Sequence, residues 1–197
     1  MSSITIEKYE GPEARRLVDA LAHLRLKVFW EFPYLYEGTL DYEKTYLETY
    51  FNAKHSFILV VKDGEEIVGA TTGIWAKEEE ESFKKPLQAY GLNTDEVFYF
   101  GESVLLPEYR GLGLGKVFMQ ERETYARSIP GIKILAFCSV VRAADHPLRP
   151  QGYRPLDEFW KSRGFAPAPG LFTEYSWKDR DEKVETMKKL NYWLKNI

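Results

Sequence analysis

The stretch from Phe98 to Lys116, Phe-Tyr-Phe-Gly-Glu-Ser-Val-Leu-Leu-Pro-Glu-Tyr-Arg-Gly-Leu-Gly-Leu-Gly-Lys, limits what this chain can fold into more than any other. An aromatic, β-favouring run leads through Pro107 into three alternating glycines, and Val117 to Arg127 then repeats at helical spacing. The run from about Val97 to Leu106 is apolar on both faces, which predicts one central strand covered on both sides. A helix that starts straight out of a glycine loop leaves its first N–H groups without intrahelical acceptors. Glycine lets a ligand come close to them, so the junction is a candidate site for phosphate or pyrophosphate.

Taken in order, Ile4 to Tyr9 alternates as a first strand, and Leu17, Leu21, Leu24 and Val28 set a helix from Glu13 to about Trp30. A second helix, Asp41 to Tyr50, carries Tyr42, Tyr46 and Tyr50 on one side. Ser56 to Val61 and Ile67 to Trp75 flank Asp63-Gly64, a dipeptide suited to the positive φ angles of a tight hairpin. An insert at about 77–94 opens with four glutamates, Glu78 to Glu81, read as a solvated face, and continues into a short helix, Ser82 to Tyr90. After the glycine loop come a helix from Leu114 to Ser128, a buried strand from Ile132 to Val141 and a proline-rich loop, His146 to Pro155. A short helix, Leu156 to Arg163, and a strand, Leu171 to Trp177, follow. Val184, Met187, Leu190 and Leu194 predict a terminal amphipathic helix at about 181–195. A tight hairpin mixed with helical crossovers gives an α/β (α+β) fold in which a central mixed sheet is flanked by helices, with 1–197 as a single domain.

A net charge of −3 gives no electrostatic footprint for nucleic acid or an anionic membrane. The single cysteine, Cys138, excludes an internal disulfide framework and fits a reducing compartment. The N-terminus has no apolar signal region, and no apolar run approaches the ~20 residues of a membrane span. The expectation is a cytoplasmic protein. His23, His55 and His146 are scattered without metal-ligand spacing, so no metal is expected.

Three anion-loop patterns compete for Arg110 to Lys116. A triphosphate-binding P-loop needs glycine where Arg110 stands and a hydroxyl where Val117 stands. A dinucleotide fingerprint starting at Gly111 needs glycine where Lys116 stands. A turn without a ligand is the plain alternative. Arg110-x-x-Gly113-x-Gly115, after a strand ending Val-Leu-Leu-Pro, resembles the acetyl-CoA-binding motif of the GNAT superfamily of N-acetyltransferases. The element order from Ile4 to Trp177 is similar to that family's, and Phe159-Trp-Lys-Ser-Arg-Gly-Phe165 resembles its fourth-helix signature.

The resemblance implies a GNAT-like fold and acetyl-CoA as co-substrate. It implies coenzyme contacts from Val104, Leu105 and Leu106 and from Arg110, Gly111, Leu112, Gly113, Leu114, Gly115 and Lys116. The N–H groups of Leu112, Gly113, Gly115 and Lys116 would hold the pyrophosphate, and Leu105 would meet the thioester and pantetheine. Strand pairing beside Leu105 would splay apart to admit it. The activity implied is direct transfer of an acetyl group to a primary amine of a small molecule or peptide.

Such a transfer needs a neutral amine, and a carboxylate can take the proton of an ammonium with pKa near ~10. Glu102 is the candidate base, with pairing to an arginine such as Arg142 as its structural alternative. Where many family members carry a tyrosine as general acid this chain has Trp160, and Tyr153 is the candidate substitute. Cys138 reads as a core thiol rather than a nucleophile. Trp30, Tyr34 and Tyr36, between the first two helices, are candidates for the acceptor pocket or for sealing the core. Arg25 would hold an acceptor carboxylate or face solvent, and the insert would form a lid. Two rivals stay open at this level. One is an acyl-CoA-binding or sensing module with little catalysis. The other is an interaction protein that uses the terminal helix as a homodimer or partner surface.

Overall fold

The computed structural model describes residues 4–197; Met1 to Ser3, which entered the reading of the N-terminus, lie outside them. Strand β1 (Ile4–Glu10) leads through a 3-10 segment opened by Pro12 into α1 (Val18–Phe29) and α2 (Leu40–Asn52). The hairpin β2 (Ser56–Asp63) and β3 (Glu66–Trp75) follows, then α3 (Glu81–Ala89), β4 (Val97–Tyr99) and β5 (Ser103–Leu105). The chain continues with α4 (Leu114–Ser128), β6 (Ile134–Val140), α5 (Asp157–Lys161), β7 (Ala166–Trp177) and β8 (Thr186–Asn196).

One mixed sheet runs β1-β2-β3-β4-β6-β8-β7, with β5 also pairing β3. The hairpin turn is where Asp63-Gly64 predicted it, with Gly64 at φ 62°. Strand β4 pairs antiparallel with β3 and parallel with β6, and Val97, Phe98 and Tyr99 are almost fully buried. Among the described residues no helix is long and apolar enough to cross a membrane.

Three sequence expectations change. The terminal segment is strand β8, not an amphipathic helix. Lys188, Leu190 and Tyr192 alternate inward, whereas Val184 and Met187 of the supposed helical stripe are 67% and 58% exposed. The β-favouring pair Tyr192-Trp193 lies in the slot between β6 and β7, where both residues pair with β6 and Trp193 also pairs with β7. The interaction reading built on that helix loses its surface. The central strand is also not continuous, since it breaks into β4 and β5 at Gly101-Glu102. The insert is a fixed wall rather than a free lid: Tyr192 Oη donates to Phe83 O at 2.6 Å and Thr173 Oγ1 to Ser82 O at 2.7 Å.

Candidate active site

The break between β4 and β5 is a β-bulge. Gly101 N donates to Thr72 O at 3.1 Å while Thr72 N donates to Glu102 O at 3.0 Å, so two residues oppose one. Gly101 is required here, because a Cβ would fall 2.0 Å from Tyr50 Oη and 2.6 Å from Thr72 Oγ1. Arg122, on the buried face of α4, clamps the bulge by donating to Thr72 O at 3.3 Å and Glu102 O at 3.2 Å, with its guanidinium 4.1 Å over the Phe100 ring. Burial lowers the Arg122 guanidinium to about 9. Sequence reasoning missed this residue, although Leu114, Phe118, Arg122 and Ala126 form an inward i, i+4 row.

The bulge bends β5 away from β6. Phe100 N still reaches Ala136 O at 2.7 Å, but beyond that point β5 follows β3 and β6 follows β8. Leu106 N donates to Val68 O at 3.0 Å, so by alternation the Leu105 N–H faces the gap between β5 and β6. The splay implied by the family resemblance is therefore present, with Val104 buried and Leu105 and Leu106 at its edge.

At the end of the gap Gly111 and Gly113 hold φ of 80° and 84°, in the left-handed region that glycine tolerates. Gly113 caps α4, leaving the helix's positive end and the N–H groups of Leu114 and Gly115 open. Leu112 is exposed, and Lys116 N closes a short turn on Gly113 O at 2.9 Å. These donors fit a pyrophosphate. Arg110 has a different part from an anion ligand: its Nε donates to Leu105 O at 3.1 Å and its Nη2 lies 2.8 Å from Glu31 Oε2. It ties the glycine loop, β5 and the loop after α1 together.

On the other side of the bulge a cavity of about 300 Å³ opens among α1, α2, β4, β6 and β7, walled by Phe29, Tyr34, Tyr36, Tyr46, Phe83 and Trp177. Its floor is charged. Arg25 is 6% exposed and lies between the carboxylates of Glu43 and Glu102, with both of which it forms ion pairs. It is neither solvent-facing nor free for an acceptor carboxylate. The triad carries one positive and two negative charges, and aromatic rings of Tyr46 and Phe29 lie 4.2 and 5.0 Å from the guanidinium. Burial pulls the Arg25 pKa down, and Glu43, Tyr46 and Tyr50 together outweigh it, leaving a net rise. The arginine beside Glu102 is thus Arg25. Arg142 instead pairs with Asp179 and donates to Pro33 O at 2.6 Å and Tyr34 O at 2.5 Å, fixing the loop that carries the cavity tyrosines.

The structure gathers Glu102, Tyr34 and Tyr36 in this cavity and leaves Trp30 and Tyr153 outside it. Trp30 is 44% exposed, with Arg180 5.5 Å above its ring, because it sits one residue past the inward Phe29. Tyr153 packs edge-on against Phe32 at 4.7 Å, with Arg149 5.1 Å away, and burial raises its pKa. Trp160 is packed against Phe137 and Trp193 at 5.0 and 5.1 Å. Cys138 borders the cavity, but burial pushes its thiol up to about 12, so it stays protonated and a poor nucleophile. Burial likewise pushes the Tyr34 hydroxyl up to about 12. The glutamate run is not uniformly solvated: Glu79 is 4% exposed. Among the described residues no group of histidine, cysteine and carboxylate side chains is arranged to hold a metal.

A family model for the acetyltransferase (GNAT) family matches residues 24–150. The chain belongs to this family. A comparison with curated proteins finds no sequence match. Solved structures share the fold at low identity. An acetyltransferase from Thermus thermophilus is 16% identical with a TM-score of 0.56, covering 100% of each chain. Arabidopsis thaliana NAA60 in complex with acetyl-CoA is 14% identical with a TM-score of 0.62, covering 99% of each chain. The yncA protein from Salmonella typhimurium, solved with acetyl-CoA, is 12% identical with a TM-score of 0.58, covering 98% of this chain and 93% of its own.

Proposed function

We propose that this protein transfers an acetyl group from acetyl-CoA directly to the primary amine of a small molecule or peptide. The observation that carries the reading is the bulge at Gly101-Glu102. It opens the gap beside Leu105 on one side and turns a carboxylate toward an aromatic cavity on the other. Acetyl-CoA supplies the activated acetyl group. The open N–H groups of Leu112, Gly113, Leu114 and Gly115, aided by the helix end, hold its pyrophosphate. The Leu105 N–H, facing the gap, orients the acetyl carbonyl.

The acceptor is a cation on arrival. The Glu43–Arg25–Glu102 triad has a net charge of −1, which an ammonium neutralises, and the surrounding rings favour a cation as well. Glu102 receives that ammonium and turns its nitrogen toward the gap. The Tyr34 hydroxyl, which keeps its proton, is the donor available to the departing thiolate.

The test is thiol release from acetyl-CoA across a panel of primary amines, with the acetylated amine identified by mass. The wild type should turn over aromatic or aliphatic amines, and Glu102→Gln should lose at least about 100-fold. The packing of Trp160 against the core rings of Phe137 and Trp193 favours one second reading, an acyl-CoA-binding module with weak catalysis. Tight acetyl-CoA binding with no thiol release for any amine would favour it.

A further inference from the structure

Removal of the acceptor's proton is not explained by Glu102 alone, whose carboxylate is already shared with Arg25. A second buried carboxylate lies close by. Glu79, on the turn between β3 and α3, is 4% exposed and faces the reaction centre through two hydroxyls. Tyr50 Oη donates to Glu79 Oε2 at 3.1 Å and lies 3.2 Å from Tyr46 Oη. Tyr46 lines the acceptor cavity beside Glu102, and Tyr50 Oη fills the space that Gly101 leaves at the bulge. Tyr50 has one proton and gives it to Glu79, so at the other contact Tyr46 must be the donor. The Tyr46 oxygen is left to accept from the cavity. On its far side Glu79 borders a shallow cleft with Thr45, Glu48 and Asn52.

We propose that Tyr46, Tyr50 and Glu79 form the route by which the acceptor amine's proton leaves the cavity, with Glu79 as its terminal base. This rests on the amine-acetylation reading. The ammonium proton passes, directly or through one water, to Tyr46 Oη. The Tyr46 proton moves to Tyr50 Oη and the Tyr50 proton to Glu79 Oε2, so both phenols end neutral and only the carboxylate gains a proton. Glu79 then discharges toward the cleft.

The groups around Glu79 suit that task. Burial raises its carboxyl from 4.5 to about 7, against the Glu80 N–H and the Tyr50 hydroxyl, which lower it. Glu80 raises it further and Arg25 of α1 lowers it. Glu78 and Glu48 share its cleft, while Tyr99, Cys138 and Tyr192 of β4, β6 and β8 feel its charge from within the core. A base that titrates near neutrality matches the operating pH better than an ordinary carboxylate.

The test compares kcat/KM against pH for the wild type, Glu79→Gln and Tyr50→Phe with a primary amine, alongside acetyl-CoA binding. The wild type should show a rising limb near pH 7. Both variants should lose that limb and fall about 10–100-fold at neutral pH, with acetyl-CoA affinity unchanged within about twofold. A Glu79→Gln or Tyr50→Phe profile that superimposes on the wild type overturns the relay. A readout independent of turnover is the infrared band of a protonated carboxyl. It should titrate near neutrality in the wild type and be missing in Glu79→Gln, and its absence from the wild type also overturns the relay. A wild type that releases no thiol with any amine refutes the acetylation reading, and the infrared titration still decides whether Glu79 holds a proton.

Discussion

Replacing Arg25 with methionine puts the charged floor of the cavity to a quantitative test. The Arg25, Glu43 and Glu102 side chains are 8%, 0% and 6% exposed, so solvent cannot stand in for the lost guanidinium. Methionine keeps much of the volume against Tyr46 and Phe29 and strands two buried carboxylates. Breaking a buried ion pair in this way costs about 3–5 kcal/mol. For a chain of this size each kcal/mol moves Tm by about 2–4 °C, so a fall of roughly 6–20 °C is expected. Urea unfolding should show a lower midpoint at unchanged slope, the mark of a stability change rather than an altered denatured state. The diagnostic feature is a reversal of sign. Glu43→Gln should destabilise the wild type, where it removes a partner of Arg25, and stabilise the Arg25→Met protein, where it removes a stranded charge. An Arg25→Met protein within about 1 kcal/mol of wild type would refute the reasoning. So would a Glu43→Gln change with the same sign in both backgrounds.

Glu79 should also make stability depend on pH. Its folded pKa is raised from 4.5 to about 7, so the native state holds the proton more tightly; that stabilisation is full below the unfolded value and lost as pH rises through about 7. The span corresponds to roughly 3 kcal/mol, and urea unfolding at pH 5 and pH 8 should show Glu79→Gln gaining on the wild type by that order. Gly101→Ala, whose Cβ would strike the Tyr50 hydroxyl and Thr72 Oγ1, should cost about 1–3 kcal/mol in unfolding assays and displace Glu102, reducing turnover sharply. Cys138 should resist alkylation at pH 8 in the folded protein, and Cys138→Ala should retain acetyl transfer within a few-fold, because the half-buried thiol stays protonated.

Much of the fold follows from local chemistry along the chain. Asp63-Gly64 dictates its hairpin, and the glycine loop dictates the start of α4 at Leu114. The terminal strand was hidden because Val184, Met187, Leu190 and Leu194 also satisfy a helical stripe. Nothing local reports that β6 and β7 leave a vacant slot between them. The bulge was hidden for a similar reason: Val97 to Leu106 reads as one strand until Tyr50 and Thr72, brought from α2 and β3, claim the space beside Gly101. Of the candidate site, the sequence singles out Glu102, Tyr34 and Tyr36, which line the cavity. Trp30 was not separable from them, since a run of aromatics does not show which rings turn inward. Glu79 lies in a charge run that reads as solvated, Arg25 reads equally as an acceptor ligand or a solvent-facing side chain, and Glu43 carries no signal of its own. Only tertiary packing buries them.

The central claim is that a coenzyme A thioester is held at the loop from Arg110 to Lys116, and calorimetric titration of acetyl-CoA tests it most directly. The wild type should bind one molecule per chain. Gly113→Ala, which introduces strain at a φ of 84° without charge, should bind with modest loss. Gly113→Glu, which adds a carboxylate where the pyrophosphate belongs, should bind at least about 100-fold more weakly. Equal binding by all three proteins, or no binding by the wild type, would contradict the account.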